Sequence, residues 1–590
     1  MRAVRNTAVL WIVAVLALAD ARVQPSQAQD SWNPFKQNSE PAPSRRAREN
    51  AAATPPGAPA PPPDPAYARP PPWQSPGSGT VERGELEPIM APDSSGLPLE
   101  LWRGLDLKTL EGLLAGLELP PRSPALHQLW RRMLLSNATP PAGAPDAEHF
   151  VALRLEALYR SGLLGDMDAL IKDGAAGPIV QTLAARRDIG LGQRDTGCQM
   201  IKTLSSPRSG LPGRLKGEAQ LLAGYCAAAA SDGPGAGLAA ELAREEGLDA
   251  ELPLAVLAGV GTGSKPRLKL PTRVLLLDYR FLELLGPVNA QQIFERAEPA
   301  LLTVLAGDAK AEARVRLAAA EAALRLNALE AEAVADIYRR LASATAGNAD
   351  PQSADPLLRR AQFFRAAELA QAPAQRARFV RAMLDDARKT QTQAQTARLL
   401  APLLANLQPA PNLDAFAETA AEIAVTAGDF GRARQWADAA GLRHWPSLID
   451  IADPERRGGR LPSLAAMEDL ATRGRLGPET LHRLATVLDA LDIDVPITLW
   501  DAANRTPQPA TGHLPETGVL ADLAQSAKRN DAGRTILLVM RALGPEGPAG
   551  ANVLALGDAI RALKRTGLEA DARRLALEAL LPAWPRVSVN

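Results

Sequence analysis

From Leu99 onward, apolar residues recur at helical spacing. Leu101-Trp102, Leu105, Leu107, Leu110, Leu113-Leu114 and Leu117 mark one helical stretch, which Pro120-Pro121 ends. Leu126, Leu129-Trp130 and Leu134-Leu135 mark the next. Steps of three and four residues place side chains on one face of a 3.6-residue helix. No stretch sustains the two-residue alternation of a half-buried strand. The expected fold class is therefore all-α.

The chain also resembles itself. The decapeptide Ala157 to Asp166 matches Ala562 to Asp571 at six of ten positions, about 400 residues apart. Each copy ends one helix, turns at Gly162 or Gly567, and opens the next. Glycine supplies the left-handed conformation that closes a helix C-terminus. Gly567 is followed by Ala572 and Ala579, and Gly428 by Ala433 and Ala440 at the same offsets. Asn530, which also tolerates a left-handed cap, precedes Thr535 and Ala542 in the same way. Small residues seven apart share one helix face, so the second helix can lie close against the first. This is the logic of helix-turn-helix repeats, in which each unit buries its apolar face against its neighbours.

The stretch Ala424 to Ala440, with Gly428-Asp429-Phe430 and Ala433, resembles a tetratricopeptide repeat. The Gly567 unit matches at the glycine and both alanines but lacks the aromatic. Further turns are expected near Gly162, Gly192, Asp232, Gly286, Asn327, Gln371, Ile493 and Asn530, at intervals of about 30 to 65 residues. The repeats are therefore degenerate. The resemblance implies a right-handed α-solenoid with a concave groove for a protein or peptide, and it names no ligand.

The N-terminus reads as a signal peptide over 1–21. Arg2 and Arg5 precede an apolar stretch from Thr7 to Ala19, and Ala19-Asp20-Ala21 fits a small-x-small cleavage site; Ser26-Gln27-Ala28 is the alternative, ending at 28. About 13 apolar residues are short for a span of about 20. The expected location is periplasmic or secreted. The alternative is an uncleaved segment anchored in the inner membrane. Residues 29–98 form an expected disordered Pro/Ala-rich linker, since runs such as Pro70-Pro71-Pro72 lack backbone donors and offer few apolar side chains. A helical hairpin or cap over 99–148, a helical repeat array over 149–582 and a tail over 583–590 follow.

Composition supports this reading. Hydrophobic residues make up 46% of the 590, aromatics only 4%. Ala and Leu, strong helix formers, therefore carry the apolar content. Lys+Arg and Asp+Glu number 66 each, so no basic surplus marks a nucleic-acid partner. The Arg- and Ala-rich style resembles exported proteins of GC-rich bacteria.

Candidate chemistry is sparse. His127, His149, His444, His482 and His513 show no i, i+4 pair and no HExxH motif. Gly259-Val260-Gly261-Thr262-Gly263-Ser264-Lys265 departs from Walker spacing and runs into Pro266, which reads as a connection between helices. No G-x-S-x-G elbow occurs. No cofactor, no metal and no catalytic residue is expected. Trp436, Trp445 and Trp500 read as core residues at helical spacing, with peptide anchors as the alternative. Cys198 and Cys226 are the only cysteines, and an even count in an exported chain favours a disulfide.

The expected function is a non-enzymatic scaffold or adaptor for an unknown protein or peptide partner in the cell envelope. An envelope-glycan (murein) binding or processing protein and a structural spacer are the alternatives.

Overall fold

A computed structural model describes residues 90–91, 93–141, 147–173, 177–205, 210–344, 355–456 and 458–586. The expected signal peptide, linker residues 29–89 and residues 587–590 lie outside the described residues. Among the described residues the chain folds into twenty-eight α-helices and no strand, an all-helical, solenoid-like array. No helix among them is long and apolar enough to cross a membrane.

Local chemistry sets where helices start and stop. Ser123 caps the Pro124–Leu135 helix, its Oγ accepting from Leu126 N, with Pro124 in the first turn. Asp429 accepts from Arg432 N at the head of Phe430–Ala439. The ends reuse one device. A left-handed residue is followed by one whose N–H returns to a carbonyl five residues earlier, as in the Schellman motif. Gly162 (φ 75°) and Gly567 (φ 81°) adopt it, with Leu163 N to Leu158 O at 3.0 Å and Leu568 N to Leu563 O at 2.9 Å. Gly192, Asn327, Gly428 and Asn530 are left-handed as expected. Two turns fall one residue earlier than expected, at Ser231 and Asp492. The expected turn at Gln371 is instead an extended link at Ala370 to Ala372, and the left-handed residue in that region is Gln391.

The repeated decapeptides diverge after their turns. Glu569–Leu580 opens two residues past Gly567, whereas Met167–Asp173 opens five past Gly162. The same short motif fixes the turn but not the helix that follows it.

Arginines tie helices together, some successive and some distant in the chain. Helix C-termini carry unpaired carbonyls and the negative end of the macrodipole. Arg103 donates to Arg529 O and Asn530 O, Arg154 to Leu134 O and Ser136 O, and Arg280 to Gly190 O. Arg376 donates to Ala367 O and Ala370 O, Arg483 to Pro548 O and Ala551 O, and Arg573 to Ile451 O. Each guanidinium closes a helix it does not belong to.

The array does not stay one-dimensional. Its first helices, Leu107–Ala115 and Pro124–Leu135, lie against its last ones, Ala532–Leu543 and Glu569–Leu580. Gly533 N donates to Leu101 O at 2.8 Å, Arg122 pairs with Glu546 at 2.6 Å, and Arg132 pairs with Asp571. Helix Pro124–Leu135 also meets the turn at Asn327, whose Nδ2 donates to Arg122 O at 3.0 Å. The expectation that each unit packs only on its neighbours is thereby corrected. The 99–148 segment is an internal keystone between both ends of the array.

Two boundaries shift for the same reason. Leu97 is fully buried and Ala91 N bonds Leu97 O, so the packed body starts inside the expected linker. Trp584 is buried and Arg586 pairs with Glu422, so the first residues of the expected tail are packed too. Helix Ala147–Arg160 straddles the expected 148/149 boundary.

Candidate functional site

Curling brings several helix ends to one place, around a cleft of about 670 Å³. The turn after Ala147–Arg160 contributes Gly162 to Asp166, and Leu191 follows the end of Pro178–Gly190. Leu276–Glu283 contributes Arg280 and Glu283. The end of Pro299–Gly307 and the residues after it contribute Thr303 to Lys310. Asn327 to Glu330, ahead of Ala331–Ala344, close the far side, and Arg131 reaches in from Pro124–Leu135.

Gly162 is required here twice over. Its φ of 75° disfavours any side chain, and a Cβ would sit 2.9 Å from Pro299 C and 3.0 Å from Ala328 Cβ. The turn therefore presses directly on two other walls of the cleft.

The walls are apolar strips bordered by ion pairs. Val304 and Leu329, both half-buried, and Leu191, 38% exposed, supply apolar surface, with Leu163 and Leu164 buried behind it. Arg131 grips Asp166 through Nε at 2.5 Å and Nη2 at 2.8 Å, and also reaches Glu330. Hydrogen bonding to Asp166 raises the Arg131 pKa, so its charge is permanent. Arg280 holds Glu283 at 2.6 Å. Lys310 Nζ lies 3.7 Å from Glu283 with 85% of its side chain exposed, which leaves it free to meet an incoming group. The cleft thus offers a mixed apolar and charged surface.

Behind the cleft, charges are buried to lock three helices together. Arg186, on Pro178–Gly190, bonds Glu156 at 2.5 Å and Glu218 at 3.2 Å, and lies 4.1 Å from the Tyr159 ring centroid. Burial works against its charge, but Glu156 and Glu218 overcome this and raise its pKa. Glu298 accepts from Leu276 N at 2.8 Å and is pushed up to about 7 by burial. His127 is pushed down to about 3 by burial, with Arg131 and Arg398 adding to the effect, so it is neutral.

Cys198, on Arg194–Leu204, and Cys226, on Gly213–Ala229, form a disulfide with Cα atoms 5.6 Å apart. The bridge joins the second helix of one hairpin to the first helix of the next. Ala433, Ala572 and Ala579 are buried at helix contacts, while Ala440 is half-buried at a helix end. Gly428, Asn530 and Gly567 make turns that do not line the cleft. Trp436 and Trp445 are core: Trp436 packs edge-on against Phe416, and Trp445 Nε1 donates to Glu418 at 3.0 Å. Trp500 is 48% exposed. No group of three metal-binding side chains occurs among the described residues.

Of the turn residues expected from the sequence, Gly162 and Asn327 border the cleft, and the rest of the first decapeptide's turn, Leu163 to Asp166, lines it with them. Arg131, Lys310 and Glu330 carried no local signal, because their partners lie far along the chain or beyond a turn.

No protein-family model matches this chain, and no curated protein and no solved structure matches it.

Proposed function

We propose that this chain is an exported, non-catalytic helical scaffold or adaptor that holds a protein segment in the bacterial cell envelope. The observation that carries the reading is the cleft. It is assembled from helix ends distant in sequence, with apolar strips at Leu191, Val304 and Leu329 and the exposed cation of Lys310 at its rim. A surface of this mixed character suits a peptide carrying apolar and acidic side chains.

The test is affinity capture from envelope extract with the full chain, comparing wild type with Leu191→Glu/Lys310→Glu. Both positions are exposed, so the fold is expected to survive. Recovery of a defined protein by wild type, lost in the variant, supports the reading. Equal capture by both removes the cleft from it. Co-sedimentation with murein sacculi favours the glycan-binding alternative, and glycan cleavage by the purified protein overturns a non-catalytic role. Neither capture nor sedimentation leaves the structural-spacer alternative.

A further inference from the structure

Helix Glu251–Thr262 ends at Gly263 (φ 67°), and residues 264–270 form neither helix nor strand before Leu276–Glu283 begins. Along this segment the side chains alternate. Lys265, Arg267 and Lys269 are exposed, while Pro266, Leu268 and Leu270 are half-buried against the body. Arg273, also exposed, adds a fourth cation, and 264–273 contains no acidic residue. None of the four cations makes an ion pair among the described residues. In a chain of net charge zero, this is a concentrated positive edge.

The edge is held from behind. Gly259 lets Pro266 press on the preceding helix, where a Cβ would lie 2.6 Å from Pro266 Cδ. Arg296 Nη1 donates to Leu270 O at 3.1 Å and to Pro271 O at 3.3 Å, and Val274 N donates to Arg296 O at 2.8 Å. The N–H groups of Arg267, Leu268, Lys269 and Leu270 have no hydrogen-bond partner among the described residues. A segment whose side chains alternate between solvent and body, anchored from behind and with unused donors, can serve as a template for a further strand.

We infer that residues 264–270 are a docking edge for an extended acidic peptide, which adds alongside as a strand. The peptide's main chain pairs with the alternate N–H groups of Arg267 to Leu270 that face it. Its acidic side chains, at every second position, face Lys265, Arg267 and Lys269, which at about 3.3 Å per residue repeat every 7 Å or so. The positive edge repels a second copy of itself, so charge selects an acidic partner over self-association. This site is separate from the cleft and uses none of its residues.

The test is fluorescence anisotropy of the full chain with a labelled peptide of alternating Glu and Val. Three comparisons accompany it: the same peptide N-methylated at alternate residues, a Lys–Val counterpart, and heparin as a competitor. Binding of the Glu peptide is expected, weakened about tenfold by N-methylation and about tenfold by Lys265→Glu/Lys269→Glu. It should also weaken as salt screens the exposed charges. Circular dichroism confirms that the variant is folded, and Arg267→Ala, a milder change, should show a smaller loss. Leu191→Glu/Lys310→Glu should leave this binding unchanged, which separates the proposal from the cleft. Equal affinity for the N-methylated peptide, with heparin competing fully, reveals a simple polyanion surface and overturns strand addition. No binding, or binding untouched by Lys265→Glu/Lys269→Glu, overturns the site itself.

Discussion

Ser123, which caps the Pro124–Leu135 helix, donates its hydroxyl to Glu578 Oε2 at 2.8 Å, a contact across 455 residues. The same carboxyl accepts from Ala125 N at 3.1 Å. One side chain of the last helix thus closes the first turn of an early one, and the two ends of the array are fastened there.

That fastening is pH-sensitive. Burial pushes the Glu578 carboxyl up to about 7, against the hydrogen bonds from Ala125 and Ser123 and the nearby charge of Arg398. Glu298 and Asp278 are raised by burial in the same direction, to about 7 and about 6. Between the unfolded carboxyl value and these values, the folded chain holds protons that the unfolded chain releases. Stability therefore falls as pH rises from about 4.5 to 7, by about 3 kcal/mol for Glu578. Melting temperature is expected to drop from pH 5 to pH 8, and Glu578→Gln should flatten that slope. Parallel slopes for wild type and variant would refute the assignment to Glu578.

Arg186 neutralises two buried carboxylates at once. Arg186→Ala strands Glu156 and Glu218 and should cost about 3–5 kcal/mol, the usual penalty for breaking a buried pair from one side. Replacing all three together, as Glu156→Gln/Arg186→Met/Glu218→Gln, should be far milder. Denaturant melts of the two variants decide this, and a smaller loss for the single change would contradict it.

Gly162 and Gly428 share a left-handed backbone but not a neighbourhood. Gly428→Ala meets nothing within 4 Å, so only the backbone conformation is penalised, by about 1–2 kcal/mol. Gly162→Ala also drives a Cβ into Pro299 and Ala328. The loss of thermal stability should be clearly larger at 162, and equal losses would show that the close approach is relaxed without cost.

The Cys198–Cys226 bridge closes a separation of 28 residues, which in the chain-entropy model contributes about 3 kcal/mol. Native protein should show no free thiol, and reductant should lower the melting temperature. Two titratable thiols without reductant would rule the bridge out.

Particular residues show what could be read in advance. Gly162, Gly428, Asn530 and Gly567 could be recognised as turns because a left-handed cap demands glycine or asparagine at one position, a purely local requirement. Ser231, Gln391 and Asp492 were harder to place because their types do not announce that conformation. The cysteine pair was legible because two residues of one kind, each a few residues from a helix turn, meet only if adjacent hairpins lie antiparallel. Arg131, Asp166 and Glu330 were not legible. Arg131 meets Asp166 only through the packing of successive helices, and Glu330 only across 199 residues.

The sequence by itself determined the helices, their caps and the disulfide, because each depends on interactions within a few residues or between successive hairpins. Only the tertiary structure decided that the array curls back on itself, with Ser123 meeting Glu578, Leu101 meeting Gly533, and six helix ends converging on one cleft. That closure joins residues more than 400 positions apart. No local window of the chain encodes it, since it emerges only when every apolar face has found its place.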